Sequence, residues 1–64
     1  MGGGKYYKMS ITALYYEKVG DRLKGDEAVK AYRAAQNHLQ PHEQGYLENV
    51  KRLQKKIINA LLSE

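Results

Sequence analysis

The chain has 64 residues, of which 42% are hydrophobic and 28% charged, a balance typical of one small folded domain rather than of a disordered chain. It has no cysteine, which excludes disulfide scaffolds, cysteine–zinc sites and thiol catalysis, and it lacks the run of about 18 apolar residues that a membrane span needs. Eleven basic and seven acidic residues give a net charge of +4, which permits an anionic partner but does not require one.

Residues 1–8 are predicted to be a flexible lead-in to a single domain formed by residues 9–64. Three glycines follow Met1, and a glycine run has no side chains to pack and is costly to order. The next four residues, KYYK, combine two lysines with two tyrosines. No signal-peptide pattern opens the chain and cysteine is absent, so we expect a cytoplasmic protein.

The first helix is predicted over residues 10–24. Ser10 is a favourable N-cap residue, and apolar residues then recur at spacings of three and four. We expect this face to enter the core, and it consists of Ile11, Leu14, Tyr15, Val19 and Leu23. Gly20 interrupts the helix at a cost of about 1 kcal/mol relative to alanine. Such a glycine is either tolerated without a role or marks the close approach of another helix backbone. We favour the close approach.

The second helix is predicted over residues 27–39, after a boundary at Gly25-Asp26. Glycine suits the left-handed position beyond a helix end, and aspartate suits the N-cap of the next helix. Glu27 then lies in the first turn, where its charge opposes the helix dipole. The residues expected in the core are Ala28, Val29, Tyr32, Ala35 and Leu39.

The third helix is predicted over residues 42–62, because Pro41 ends the second helix and suits the first turn of the next one. A heptad-like seam indicates its buried face, formed by Tyr46, Val50, Leu53, Ile57 and Ala60. Short connections make the helices antiparallel neighbours, and no β-alternation competes. The predicted fold class is therefore all-α, an antiparallel three-helix hairpin or bundle.

The third helix carries a second apolar stripe that one seam does not need. At about 100° per residue, Leu47, Ile58 and Leu62 fall roughly 100–160° from Tyr46. Lys51 and Lys55 flank them. The stripe either packs beneath the first helix or the N-terminal tyrosines, or it is exposed as a surface for a partner or for self-association.

Residues 19–41 resemble two related classes of helical hairpin. The order of glycine, alanine, tyrosine, alanine and proline resembles a tetratricopeptide repeat, carried by Gly20, Ala28, Tyr32, Ala35 and Pro41. The stretch is also similar to the microtubule-interacting-and-trafficking (MIT) domain, through Asp21, Gly25, Glu27-Ala28, Tyr32, Ala35 and Leu39. Arg52-Leu53-Gln54 is similar to the third helix of some members. The resemblance implies an adaptor that holds a partner helix or strand between helices, and no binding residue is carried over.

No arrangement of residues in the sequence points to an enzyme, a metal site or a cofactor. His38 and His42 are four residues apart, but Pro41 breaks the helix that a zinc pair would need. Paired carboxylates, a Ser/His/Asp set and a phosphate-binding glycine loop are all lacking, and no small-molecule substrate is expected. The tyrosines Tyr15, Tyr32 and Tyr46 are expected to pack in the core.

The leading hypothesis is therefore a non-enzymatic helical module for protein–protein interaction. An acidic or amphipathic partner segment would bind the third helix, through Leu47, Lys51, Lys55, Ile58 and Leu62. Nucleic-acid binding is the first alternative, through a basic stripe formed by Lys51, Arg52, Lys55 and Lys56. In that alternative Asn49 would accompany Lys51 into a major groove, and the KYYK segment would stack on bases. Self-assembly into a homodimer through the second stripe is another alternative.

Overall fold

The computed structural model describes residues 7–63, and all regular secondary structure within this range is helical. Three helices follow in chain order, namely α1 (Ile11–Asp21), α2 (Gly25–Asn37) and α3 (Tyr46–Leu62). The middle helix α2 packs against both α1 and α3. The prediction of an all-α antiparallel three-helix bundle is confirmed, while most of the predicted lead-in lies outside the described residues.

The start of α1 and the boundary between α1 and α2 follow the sequence signals. The Ser10 hydroxyl accepts a hydrogen bond from the Ala13 amide at 3.1 Å, so Ser10 is the N-cap of α1. The helix ends at Asp21, and Gly25 opens α2 in the left-handed region with φ +56°. Lys24 rather than Asp26 takes the N-cap position of α2, which leaves Asp26 in the first turn beside Glu27.

The third helix begins at Tyr46, so the predicted start at residue 42 is wrong. Pro41 lies in a turn closed by the Glu43 amide, which donates to the Gln40 carbonyl at 3.0 Å. The Glu43 carboxylate accepts from the Gln40 amide at 3.3 Å and so stabilises the same turn. Gly45 follows with φ +80°, a left-handed conformation from which the chain enters α3. The turn therefore delays the helix by about one helical turn.

The core lies between α2 and its two neighbours. All five residues predicted for the second helix are buried, and Leu53 and Ile57 of α3 are buried against them. The rest of the predicted seam is partly buried on this cluster, namely Tyr46, Val50 and Ala60. The core also contains Met9 and Ala13, which hydropathy periodicity did not select.

The predicted inward face of α1 is wrong. Ile11 is 86% exposed and Tyr15 is 62% exposed, whereas Ala13, Glu17 and Gly20 are the buried residues of this helix. The reversal has a steric cause at Gly20, where a Cβ atom would lie 2.6 Å from Cε1 of Tyr32. Gly20 does mark a close approach, but the group that approaches is a tyrosine ring rather than a helix backbone.

Candidate functional site

The second apolar stripe predicted on α3 is exposed on the outer side of the helix and is not packed beneath α1. Leu47 is 61% exposed, Ile58 48% and Leu62 79%. Leu61, also 48% exposed, extends the stripe and was missed, although its spacing of three residues from Ile58 places it beside that residue. We call these four residues, Leu47, Ile58, Leu61 and Leu62, the outer stripe of α3.

Two lysines lie between Leu47 and Ile58 along the outer stripe. Lys51 and Lys55 are both exposed, and neither forms an ion pair with any residue from 7 to 63. At about 100° per residue, both lysines project within about 20° of the direction of Leu62 around the helix axis. The five residues predicted for partner binding therefore lie on the same side of α3, with Leu47 at its start, Ile58 and Leu62 near its end, and the two lysines between them.

The other two cations of α3 point towards α1. Arg52 donates from Nε and from Nη2 to the two carboxylate oxygens of Glu17, both at 2.9 Å. Lys56 lies 2.9 Å from the Glu17 carboxylate and 2.9 Å from that of Asp21. These cations lie roughly 120–180° around the helix axis from Leu47 and Ile58. The four cations of the predicted basic stripe are therefore divided between two sides of α3.

The carboxylate of Glu17 is the centre of this ionic network. Its side chain is only 5% exposed, and burial by itself would raise its pKa. The hydrogen bonds and positive charges of Arg52 and Lys56 outweigh burial and hold the pKa of Glu17 below its ordinary value of 4.5. Glu17 is therefore ionised when neutral pH is reached, and it links α1 to α3 through charge rather than apolar contact.

A tyrosine extends the network into α2. The Tyr32 hydroxyl donates to Oδ1 of Asp21 at 2.7 Å, the same oxygen that contacts Lys56. Burial, the hydrogen bond and the negative charge of Asp21 raise the pKa of Tyr32 to about 12. Burial would lower the pKa of Lys56, but the carboxylates of Glu17 and Asp21 raise it above its ordinary value. All three helices thus meet in one polar cluster.

Asn49 is fully buried beside this cluster, which corrects its predicted exposure. Its Oδ1 accepts from Nη1 of Arg52 at 2.6 Å, while its Nδ2 has no hydrogen-bond partner among residues 7–63. Arg52 also donates from Nη2 towards the sulfur of Met9 at 2.8 Å. Since Asn49 faces inward, it cannot accompany Lys51 into a nucleic-acid groove.

Two surface hollows among residues 7–63 lie away from the outer stripe. One, of about 440 Å³, lies between the α1–α2 turn and the end of α3, and its lining includes Leu23, Tyr32 and Asn59. The other, of about 470 Å³, lies at the start of α1, between Ile11 and Gln44. Neither joins the residues predicted for partner binding.

The two histidines lie apart from any ligand cluster. The His38 ring stacks on Tyr16 with centroids 5.5 Å apart, and His42 is exposed in the turn after Pro41. Within residues 7–63 no three His, Cys, Asp or Glu side chains gather as a metal site would require.

Comparisons of the chain with protein-family models, with curated proteins and with solved structures find no match. The resemblance to MIT domains and tetratricopeptide hairpins therefore stays a prediction. Among the described residues, no helix has both the length and the apolar character needed to cross a bilayer.

Proposed function

We propose that this chain is a small non-enzymatic interaction module that holds an acidic, amphipathic partner helix on the outer side of α3. The observation that carries the proposal is the outer stripe itself, four exposed large apolar side chains bordered by two exposed lysines. The fold does not need this surface, because the seam of α3 that packs on α2 is formed by other residues. Its cytoplasmic location belongs to the same proposal.

The outer stripe offers both affinity and selectivity. Burying apolar surface contributes about 25 cal/mol per Å² to the free energy of binding. The leucine and isoleucine side chains would therefore supply most of the binding free energy. An amphipathic helix presents residues at the same spacings as Leu47, Ile58 and Leu61, and it lies naturally along another helix. Lys51 and Lys55 attract acidic partners and repel basic ones, which supports the acidic class.

Charge favours a foreign partner over a second copy of the chain. A two-fold axis through the middle of the outer stripe would lie close to residues 54 and 55. Lys51 and Lys55 of both copies would then gather around the axis, with four like charges at the centre of the interface. Like charges in an interface cost several kcal/mol when no counter-charge is present.

The division of the cations also weighs against nucleic acid. Arg52 and Lys56 contact Glu17, so a phosphate backbone on the outer side would meet only Lys51 and Lys55 of the four. Two phosphate contacts give a weak and only mildly salt-dependent association. The resemblance of residues 19–41 to MIT and tetratricopeptide hairpins, which hold partner segments, supports the adaptor proposal instead.

Binding of a designed probe tests the proposal. The probe is a synthetic amphipathic helix of about five turns with a leucine seam flanked by glutamates, and binding is followed by fluorescence anisotropy at moderate salt. We expect Leu47→Ser combined with Ile58→Ser to weaken binding about tenfold or more, because apolar contact is lost. Lys51→Glu combined with Lys55→Glu is expected to weaken it by a similar factor.

A matched control makes the same change of charge elsewhere. Lys24 and Lys30 are both exposed and lie on the α1–α2 turn and on α2. Their reversal to glutamate is expected to leave probe binding within about twofold of the unmodified chain. An equal loss in the control and the Lys51/Lys55 variant would show general charge attraction and would contradict the proposed surface.

A further inference from the structure

The outer side of α1 is a second apolar surface that the fold leaves uncovered. Ile11 and Tyr15 are largely exposed, and Leu14 and Val19 are half-buried beside them. These residues keep the helical spacing of a buried face, but the core is filled from the other side of α1 by Ala13 and Gly20. No residue of the described chain therefore covers this face.

The unpaired charges on the outer side of α1 are positive among the described residues. Its two acidic residues, Glu17 and Asp21, are engaged by Lys56 on the side that faces α3. The exposed charges that remain are Lys18 within the helix and Arg22 at its C-cap. A ligand on this face would meet two cations and no free carboxylate of the same helix.

The two largely exposed apolar residues of this face and its two cations lie at different heights along the helix axis. Ile11 and Tyr15 lie in the first two turns, whereas Lys18 and Arg22 follow about 10 and 16 Å beyond Ile11. The hollow of about 470 Å³ adjoins the apolar end and is lined there by Tyr7, Met9 and Ile11, among others. That volume accommodates a large apolar side chain.

We infer that the outer side of α1 is a second docking surface, for an acidic peptide segment with a bulky apolar anchor. The anchor would enter the hollow beside Ile11, and carboxylates about two to three turns away would pair with Lys18 and Arg22. A membrane surface fits less well, because Lys18 and Arg22 lie within about 20° of Ile11 around the helix, whereas an interfacial helix carries its cations at the edges of its apolar stripe. A second copy would bring cations against cations.

This surface is independent of the outer stripe of α3. Ile11 lies roughly 120° around α1 from Glu17, the residue that faces α3. The outer stripe of α3 likewise lies on the side of that helix away from Arg52. With one surface on each outer helix, the module can hold two different segments at the same time.

The test uses a synthetic peptide with a tryptophan-leucine anchor followed, after about two turns, by three glutamates, and it measures anisotropy with the full chain. Lys18→Glu combined with Arg22→Glu is expected to weaken binding about tenfold, and Ile11→Ser to weaken it several-fold. The control is Lys30→Glu with Arg33→Glu on the exposed side of α2, which is expected to leave affinity unchanged.

Competition separates this inference from the proposed function. A saturating amount of the amphipathic helix probe is expected to leave the affinity of the anchored peptide unchanged, as is the Leu47→Ser/Ile58→Ser variant. Mutual displacement would mean a single shared site and would overturn the inference. So would an absence of peptide binding, or an equal loss in the Lys30/Arg33 control, whereas neither result touches the binding of the helix probe to α3.

Discussion

At the scale of single residues, two positions on α1 set how this helix packs. Gly20 gives room for the Tyr32 ring, and Glu17 receives Arg52 and Lys56 from α3. A helix that places glycine and glutamate against its neighbours must turn its larger apolar residues outward. The exposure of Ile11 and Tyr15 is thus a consequence of the residues that occupy the inner side.

Gly20→Ala is expected to lower the stability of the chain, although alanine is the better helix former by about 1 kcal/mol. The new Cβ atom would lie 2.6 Å from Cε1 of Tyr32, whose ring is buried and whose hydroxyl is held by Asp21. Overpacking of this kind costs about 1–3 kcal/mol, which equals or exceeds the gain in propensity. Urea unfolding measures the net change, with the exposed Thr12→Ala as control. A stabilised Gly20→Ala variant would contradict the packing described.

Tyr32 is expected to titrate at a higher pH than the ordinary value for a tyrosine. Its folded pKa is about 12, against an ordinary value of 10.0, so its contribution to stability is present below pH 10.0 and is lost as pH rises towards 12. Absorbance near the phenolate band measures tyrosine ionisation, and Tyr32→Phe is expected to remove the step near pH 12. Asp21→Asn is expected to bring that step to lower pH. A titration unchanged by both variants would contradict the contact between Tyr32 and Asp21.

At the scale of the elements, α3 presents three different sides. One side packs apolar residues on α2, one directs Arg52 and Lys56 to the carboxylates of α1, and one carries the outer stripe. Cations close together on the same helix therefore have different roles. Arg52 and Lys56 hold the fold together, while Lys51 and Lys55 are free for a partner.

This division predicts opposite outcomes for neighbouring substitutions. Arg52→Gln is expected to lower the free energy of unfolding by about 2 kcal/mol, because a buried carboxylate loses two charged hydrogen bonds. Lys51→Gln, one residue earlier and exposed, is expected to change it by less than about 0.5 kcal/mol. Thermal or urea unfolding at neutral pH compares the two variants. Equal effects would contradict the assignment of α3 cations to two sides.

The network also predicts acid sensitivity. Because the pKa of Glu17 is lowered below 4.5 in the folded chain, its contribution is present above pH 4.5 and is lost as pH falls through the folded value. Stability measured against pH is expected to fall in this acidic range, and Glu17→Gln is expected to flatten that part of the curve. An unchanged curve in the variant would mean that other carboxylates govern the acid transition.

The sequence predicts α2 and α3 well because their buried faces are apolar and periodic. On α1 the same rule selects the wrong face, since hydropathy gives no weight to Ala13, Gly20 or a buried glutamate. Asn49 is buried, and its spacing of three residues from Tyr46 and four from Leu53 weakly indicates this. An asparagine is usually predicted to be exposed, so the spacing was not enough. The late start of α3 depends on hydrogen bonds in the turn after Gln40, which periodicity does not register.

At the scale of the whole molecule, a central helix carries two outer helices, and each of these leaves an apolar surface open. Pairing Glu17 and Asp21 with Arg52 and Lys56 neutralises charge between α1 and α3. The net charge of +4 is therefore carried by the rest of the molecule, where the open surfaces lie. This arrangement suits acidic ligands and disfavours contact between copies.

The chain is therefore expected to sediment as a monomer over a wide concentration range at moderate salt. Sedimentation equilibrium measures this directly, and raising the salt concentration tests whether charge repulsion is the cause. A stable dimer that is lost in the Leu47→Ser/Ile58→Ser variant would assign the outer stripe to self-association in place of a foreign partner.

The most direct test of the central claim is a reciprocal exchange of charge across the proposed contact on α3. The Lys51→Glu/Lys55→Glu variant is titrated with two amphipathic helix probes that share a leucine seam and differ only in flanking glutamates or lysines. We expect the variant to lose its affinity for the glutamate probe. Its affinity for the lysine probe is expected to be about that of the unmodified chain for the glutamate probe. A variant that binds neither probe, or that keeps its preference for glutamate, would contradict the claim that Lys51 and Lys55 face the partner.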